Sequence, residues 1–255
     1  MTDLPRFFIP RGELTADEIL ITADPLHHLN KVLRLKVGDQ AILLDGTGAC
    51  CRALISVISR HQAKAEPLER WQEEDTALPI CLQQALPKGD KLDLVLQKGT
   101  EIGITCFQPL TCQRSVPQAD PQRLQKRRQR WARIISEAAR QSRRPVLPEL
   151  GAVRPLAETI QTAPDHLRLV LWEQGATPLK EVLPTQRPAG VTLLVGPEGG
   201  FAPEEVALVR QAGFQPVHLG PRILRTETAG LAAASILQYL YGDLHLAPTQ
   251  KEETS

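Results

Sequence analysis

The sequence predicts an α/β protein: a carboxyl-terminal domain on a mostly parallel sheet, preceded by a small amino-terminal β-barrel. Three observations carry this. Residues 191–195 (V-T-L-L-V) and 216–219 (P-V-H-L) are short apolar runs without alternation, which suits strands buried on both faces of a parallel sheet. Each ends in a Gly-Pro bend, Gly196-Pro197 and Gly220-Pro221, and each bend feeds a helical pattern. Residues 4–70 instead read as closely spaced short strands and turns, with Asp45-Gly46-Thr47-Gly48 as a tight-turn signal.

In order along the chain, Arg6-Phe7-Phe8-Ile9 opens the barrel. His27 to Arg34 is a short helix or turn whose adjacent histidines face apart, a poor arrangement for a shared metal. Strands follow at 41–44 and 51–59. Residues 1–70 make the first domain, and the polar stretch 71–78, with Glu73-Glu74-Asp75, reads as a linker. The second domain, 79–245, opens with a buried strand at 79–85. Leu92, Val95, Leu96, Gly99 and Ile102 then recur at helical spacing over 88–103, with Gly103 as C-cap. A strand covers 104–110.

Residues 122–144 hold nine basic residues against one acid, Glu137, while Trp131, Ile135 and Ala138 share one helical face that packs inward. So much charge of one sign, without i,i+4 partners, points to phosphate contact. A strand at 167–173 ends in Leu171-Trp172-Glu173. Pro203 with Glu204 and Glu205 starts a helix that lacks a capping side chain at Ala202, forgoing about 1 kcal/mol. Thr226 reads as N-cap of the last helix, and 246–255 is a polar tail.

The bulk numbers exclude several classes. In 255 residues, 42% hydrophobic and 23% charged, there is ample core for a globular protein, and a net charge of +1 leaves room only for a local basic patch. A 4% aromatic share argues against base stacking along a nucleic acid. Five cysteines without C-x-x-C spacing give neither a zinc site nor a disulfide framework, and adjacent Cys50 and Cys51 point to opposite strand faces as packing residues. No metal is expected. Without a leader-like amino terminus or a spanning run, the chain reads as a cytoplasmic protein with no membrane partner.

The two bends are where chemistry is expected, because ligands of open α/β sheets bind beyond the carboxyl ends of strands. Gly196-Pro197-Glu198-Gly199-Gly200 is not a phosphate cradle: Pro197 lacks a donor, Glu198 adds a like charge, and no G-x-G-x-x-G or Lys-Ser/Thr pair is present. Its glycines suit close approach to a flat, uncharged or cationic ligand. The second bend sets Ile223 and Leu224 beside Arg222 and Arg225, a combination suited to an adenine-like ring next to an anionic nucleic acid.

V-G-P-E-G-G-F followed by L-G-P-R-I-L-R-T-E-T-A resembles the 16S ribosomal RNA uridine-N3 methyltransferases of the SPOUT superfamily (the RsmE family), over about residues 4–245. The resemblance implies a trefoil-knotted SPOUT domain binding S-adenosylmethionine (SAM), a PUA-like RNA-binding barrel, and a homodimer acting on 16S rRNA within the small ribosomal subunit. The knot rests on the resemblance alone, since chains as a rule do not thread loops. The expected cofactor residues are Leu171, Glu173, Gly196, Gly199, Gly200, Leu219, Gly220, Ile223 and Leu224. The expected RNA contacts are Arg11, Lys31, Arg34, Arg127, Arg130 and Arg222.

Methylating N3 of uracil requires loss of the imide proton and spreads charge onto two carbonyl oxygens. Arg225, Arg222 and Arg144 are the expected donors, and Glu198 and Glu227 the expected proton acceptors. Where the family usually has E-Q-S-x-R, this chain has Arg140-Gln141-Ser142-Arg143-Arg144; if that acid serves catalysis its residue is missing here, and Arg140 is assigned no role. Two alternatives stay open: a related SPOUT enzyme methylating a tRNA ribose 2′-oxygen, and a noncatalytic RNA-binding protein of ribosome assembly. A dinucleotide oxidoreductase lacks its glycine fingerprint.

Overall fold

Strands that are apolar along their whole length need cover on both faces. The computed structural model describes residues 4–115, 121–162 and 166–247 and provides such a sheet. The chain divides into two compact units, Met1–Asp75 with Ile135–Leu147, and Thr76–Ile134 with Pro148–Ser255.

The first unit holds β1 (Arg6–Phe8), β2 (Ile19–Ile21), α1 (Ala23–His27) running on into one wide helical turn at His28–Leu33, β3 (Gln40–Leu44), β4 (Ala49–Ile58) and β5 (Ala63–Gln72). Its five-stranded sheet has the order β1-β3-β4-β5-β2, with only the β1–β3 pair parallel. The expected barrel takes the form of a half-barrel, curled and open between β1 and β2. Two register shifts in β4, at Arg52/Ala53 and Ile55/Val57, supply local twist. Cys51, Ala53 and Ile55 alternate into its core with Phe7, Ile21 and Leu43. Cys50 and Cys51 are both buried and outside any disulfide, as packing residues should be. The β3–β4 turn is closed by Asp45, whose Oδ1 accepts the N–H and hydroxyl of Thr47 at 2.8 and 2.7 Å.

The second unit contains β6 (Ile80–Ala85), α2 (Lys91–Ile102), β7 (Cys106–Thr111), most of α3 (Pro121–Gln141), β8 (Glu149–Leu150), β9 (Arg154–Pro155), α4 (Leu156–Gln161), β10 (Leu167–Leu171), β11 (Thr177–Pro178), α5 (Leu179–Val182), β12 (Val191–Val195), α6 (Pro203–Gln211), β13 (Gln215–His218) and α7 (Thr226–Tyr241). The sheet runs β11-β13-β10-β12-β6-β7-β8, and every pairing is parallel. Each residue of β6 and β12 is buried, which is why neither strand shows alternation. Gly103 ends α2 in the left-handed conformation, as the sequence predicts. From residue 248 onward, the expected tail lies outside the described residues.

On α3, Trp131, Ile135 and Ala138 are buried, as the helical spacing requires. The charge on its outer face is partly compensated by a route the sequence conceals. Arg130 pairs with Asp90 and Asp93, Arg127 lies 5.0 Å over the Trp131 ring, and Arg128 donates to the Leu150 carbonyl.

Gln238 on α7 is fully buried and spends its amide on backbone. Oε1 accepts the Leu78 N–H at 2.9 Å, and Nε2 donates to the carbonyls of Leu78 and Gly103 at 2.9 and 2.8 Å. This one side chain fastens the last helix to the approach to β6 and to the cap of α2. Gln238→Ala leaves three buried backbone groups without partners and should lower the unfolding free energy by about 3 kcal/mol, read from urea unfolding followed by circular dichroism.

Candidate functional site

β10 lies between β12 and β13, so three strands deliver their carboxyl ends side by side. The loops that follow enclose two adjoining clefts of about 570 and 410 Å³, within the range that holds a small ligand. Both are lined by Leu171, Trp172 and Glu173 from the end of β10, by Ile223 and Leu224, and by Ala229 of α7. The larger adds Leu219, Gly220 and Arg222 from the second bend; the smaller adds Gly196, Glu198, Gly200 and Arg225. The two Gly-Pro bends therefore meet across one site.

Local chemistry explains each wall. A Cβ on Gly196 would stand 2.9 Å from the Phe201 ring, so glycine is what lets the bend close on that ring, which in turn lies tilted against Trp172 with ring centres 5.7 Å apart. Gly220 holds φ +106°, a conformation that a side chain would strain. Ile223 is 81% exposed, so it is no part of the core but an apolar group presented at the shared mouth of the clefts.

Thr226 does not cap α7, as the sequence suggests; Arg225 occupies that position without a side-chain cap, and Thr226 is the first helical residue. Its hydroxyl is committed elsewhere, donating to the Gly196 carbonyl at 2.6 Å and accepting from Gln84 Nε2 at 2.9 Å. That clasp ties the first bend to β6 and to α7. At α6 the capless start is remedied by Glu205, whose carboxylate accepts the N–H groups of Ala202 and Gln113, both at 2.8 Å.

The charged groups form a second clasp. Lys91 Nζ lies 3.1 Å from Glu198 Oε1 and 3.4 Å from Glu227 Oε2, and the Lys88 N–H donates to the same Glu198 oxygen at 3.0 Å. Partial burial pushes the Glu198 carboxyl up, but hydrogen bonds from its own N–H, from Lys88 and from Lys91, with the Lys91 charge, bring it below the usual carboxylate range. The hydrogen bond to Glu198 in turn raises Lys91 above the ordinary ammonium value, desolvation opposing and Glu227 assisting. Glu227 is buried, its Oε1 4.0 Å from Arg225 Nη1, and Arg225 itself is 81% exposed at the mouth.

Of the residues singled out from sequence, Leu171, Glu173, Gly196, Gly200, Leu219, Gly220, Ile223 and Leu224 line the clefts, with Glu198, Arg222 and Arg225. Gly199 faces away, its carbonyl accepting from Arg114 at 3.0 Å. Arg144 belongs to the other unit, where it is buried against Asp75 at 2.5 Å. Arg11, Lys31 and Arg34 are exposed on the first unit. Lys91, Phe201 and Thr226 were not expected to line the site. The signal for Lys91 is that β6 neighbours β12, which brings the loop after β6 to the same edge.

Two family models match the chain, an RNA methyltransferase domain over residues 55–238 and an RNA methyltransferase PUA domain over residues 21–68. The chain is 35% identical over 251 residues to the ribosomal RNA small subunit methyltransferase E of Bacillus subtilis, covering 92% of this chain and 96% of that one. A Neisseria gonorrhoeae ribosomal RNA small subunit methyltransferase E, solved bound to S-adenosyl methionine, is 34% identical with a TM-score of 0.86, covering 94% of this chain and 99% of that one. A Legionella pneumophila methyltransferase in complex with SAM is 33% identical with a TM-score of 0.87, covering 95% and 100%.

The Lys91 clasp gives a signed expectation. Because the folded-state carboxyl of Glu198 is lowered, its contribution to stability is present above the ordinary carboxylate value and fades as pH falls through the lowered one. Lys91→Met should move the Glu198 titration upward, toward the ordinary value, in a carboxyl-carbon NMR titration. An unchanged titration would show that Lys91 is not what holds it down.

Proposed function

Because this chain belongs to the ribosomal RNA small subunit methyltransferase E family of RNA methyltransferases, we propose that it methylates N3 of a uridine in 16S rRNA, using SAM and giving 3-methyluridine. The observation that carries this reading is the meeting of both Gly-Pro bends around adjoining clefts, with an exposed isoleucine and an exposed arginine at their mouth.

The cleft walls fit SAM. Leu219, Ile223 and Leu224 offer apolar surface for a flat ring, and the backbone at Leu171, Gly196, Leu219, Ile223 and Leu224 offers hydrogen-bonding groups at the loop ends. When bound, SAM supplies an electrophilic methyl on its sulfonium. Arg225 and Arg222 line the neighbouring space and would donate to the two carbonyl oxygens that gather charge as N3 gives up its proton to solvent water. Glu198, held below the usual carboxylate range by its hydrogen bonds and Lys91, makes a poor proton acceptor; its work is to hold Lys91 and the loop after β6. Glu227 joins the same clasp, and Arg144, committed to Asp75, takes no part. Catalysis then rests chiefly on alignment, which can remove about 7–11 kcal/mol of barrier. N3 lies on the pairing edge, so the uridine must be unpaired or turned out of its helix.

The exposed Arg11, Lys31 and Arg34, together with α3, present phosphate-binding charge, in keeping with a PUA-type unit. On α3 the share of Arg130 is reduced by Asp90 and Asp93, so exposed Arg123 and Lys126 join Arg127. Among the described residues no helix is long and apolar enough to cross a membrane. The proposed place of action is the cytoplasm, on the small ribosomal subunit. The trefoil threading that the resemblance to SPOUT enzymes implies belongs to the same proposal.

A homodimer is part of the same proposal. Ile236, Tyr239 and Leu240 of α7 and Leu244 just beyond its end are exposed and line an apolar groove of about 460 Å³. Tyr239→Glu with Leu240→Glu should convert a sedimenting dimer into a monomer. A wild-type monomer would remove the dimer from the proposal.

The deciding assay supplies methyl-labelled SAM with small subunits or with tRNA and identifies the methylated nucleoside by mass spectrometry. The expected product is 3-methyluridine in 16S rRNA. A ribose methyl in tRNA would favour the tRNA enzyme, and absence of SAM binding by calorimetry would favour the noncatalytic protein. Arg225→Ala should lower kcat about 10²-fold while leaving SAM affinity little changed.

A further inference from the structure

β6 and β7 are parallel neighbours, and their register pairs Cys81 with Cys106. The two sulfurs lie 3.0 Å apart, with the Cys81 S–H directed at the Cys106 sulfur. Both are free thiols; Cys81 is buried and Cys106 half-buried. They sit near the amino ends of their strands, whereas the clefts lie beyond carboxyl ends, so the methyl transfer proposed above uses neither. Neighbouring strands run about 4.8 Å apart. That separation lies inside the Cα range a disulfide spans, so bond formation needs little backbone movement.

We propose that Cys81 and Cys106 form a modification site that closes to a disulfide when the protein meets a small hydroperoxide such as hydrogen peroxide. Cys106 attacks first, as thiolate: an S–O bond forms, the O–O bond breaks, and the departing hydroxide takes up a proton to become water. Cys106 is then a sulfenic acid. Cys81 attacks its sulfur, the S–S bond forms, the S–O bond breaks, and a second water leaves with the Cys81 proton. Two thiols and one hydrogen peroxide become one disulfide and two waters; the sulfurs lose two electrons and the peroxide gains them.

The order of attack follows from the pair's surroundings. The hydrogen bond from Cys81 brings the Cys106 thiol below its usual value, against burial and the charge of Glu149. The same hydrogen bond, with burial, raises Cys81. Cys106 is therefore both the more open and the more readily ionised of the two, which suits the attacking group. The other three cysteines are poorly placed to compete. Burial and Glu205 push Cys112 up to about 12, burial raises Cys51, and Cys50 is buried beside it on β4.

The test treats the full chain with hydrogen peroxide, blocks remaining thiols with an alkylating agent, and maps the products by mass spectrometry without reduction. Free thiols should fall from five to three, with one cross-linked peptide pair containing Cys81 and Cys106 and full recovery on adding dithiothreitol. Cys81→Ser should stop the sequence at a Cys106 sulfenic acid that dimedone labels, and Cys106→Ser should leave Cys81 reduced. Five surviving thiols, a cross-link through Cys50, Cys51 or Cys112, a link between two chains, or overoxidised Cys106 without a link would overturn the proposal. The wild-type map alone decides between these outcomes, so it stands even if a variant fails to fold.

Discussion

The position of β10 between β12 and β13 is the constraint on which the second unit's chemistry depends. Parallel strands send their carboxyl ends to one edge of a sheet, so loops far apart in sequence become neighbours there. Gly196-Pro197 and Gly220-Pro221 are separated by a whole helix and a strand, yet both open onto the same ligand-sized space because β10 flanks both strands. The Thr226 hydroxyl then fixes their spacing. It joins the Gly196 carbonyl to the first turn of α7, while Gln84 holds the same oxygen from β6. A Ser or Thr at the start of a helix usually serves its own backbone; here the cap is given up so that the loop can be held.

Electrostatics follows from the same convergence. Three elements bring Lys91, Glu198 and Glu227 together, and the two carboxylates would repel one another without the ammonium between them. Closing that group on itself has a cost for chemistry, because a carboxylate stabilised by hydrogen bonds and a cation is a weaker base. What remains uncommitted to such a clasp at the mouth is Arg225, whose 4.0 Å approach to Glu227 through an exposed side chain is worth little in water. The site therefore combines a rigid acidic floor with an adaptable cationic rim.

Much of this was legible in the sequence, for reasons that can be traced. Val191–Val195 is buried at every position, and an unbroken apolar run bounded by a bend records that burial directly. Gly103, Trp131 and Asp45 likewise carry their structural roles in residue type and spacing. Pairings that join distant segments left no such trace. Nothing in 122–144 reveals that Arg130 faces Asp90 and Asp93, because a helical period reports which side chains share a face but not what lies opposite. For the same reason periodicity does not show that Ile135–Leu147 belongs with the amino-terminal unit, or that Arg144 is committed to Asp75. Lys91 reads as one more cation on a polar helix face until the strand order sets β6 beside β12. Thr226 departs from the expected cap for a subtler reason: its residue type fits a cap, but it stands one residue inside the helix, where its hydroxyl serves the Gly196 carbonyl and the Gln84 amide.

For the N3 methyl transfer proposed above, a site built this way favours one kind of catalysis over another. Removing the uracil N3 proton by a strong enzyme base would require a carboxyl raised toward neutrality, which needs burial without hydrogen bonds or cations. Glu198 has the opposite surroundings on every count but partial burial. Stabilising the imide anion by donors instead requires cations that are free to reach the base and are not neutralised by nearby acids. Arg225 and Arg222, exposed at the lips of the two clefts, meet that requirement. The placement of charge thus favours anion stabilisation with alignment over general-base catalysis. It also explains why the loops are so heavily tied to one another: alignment yields rate only if the groups that define it do not move.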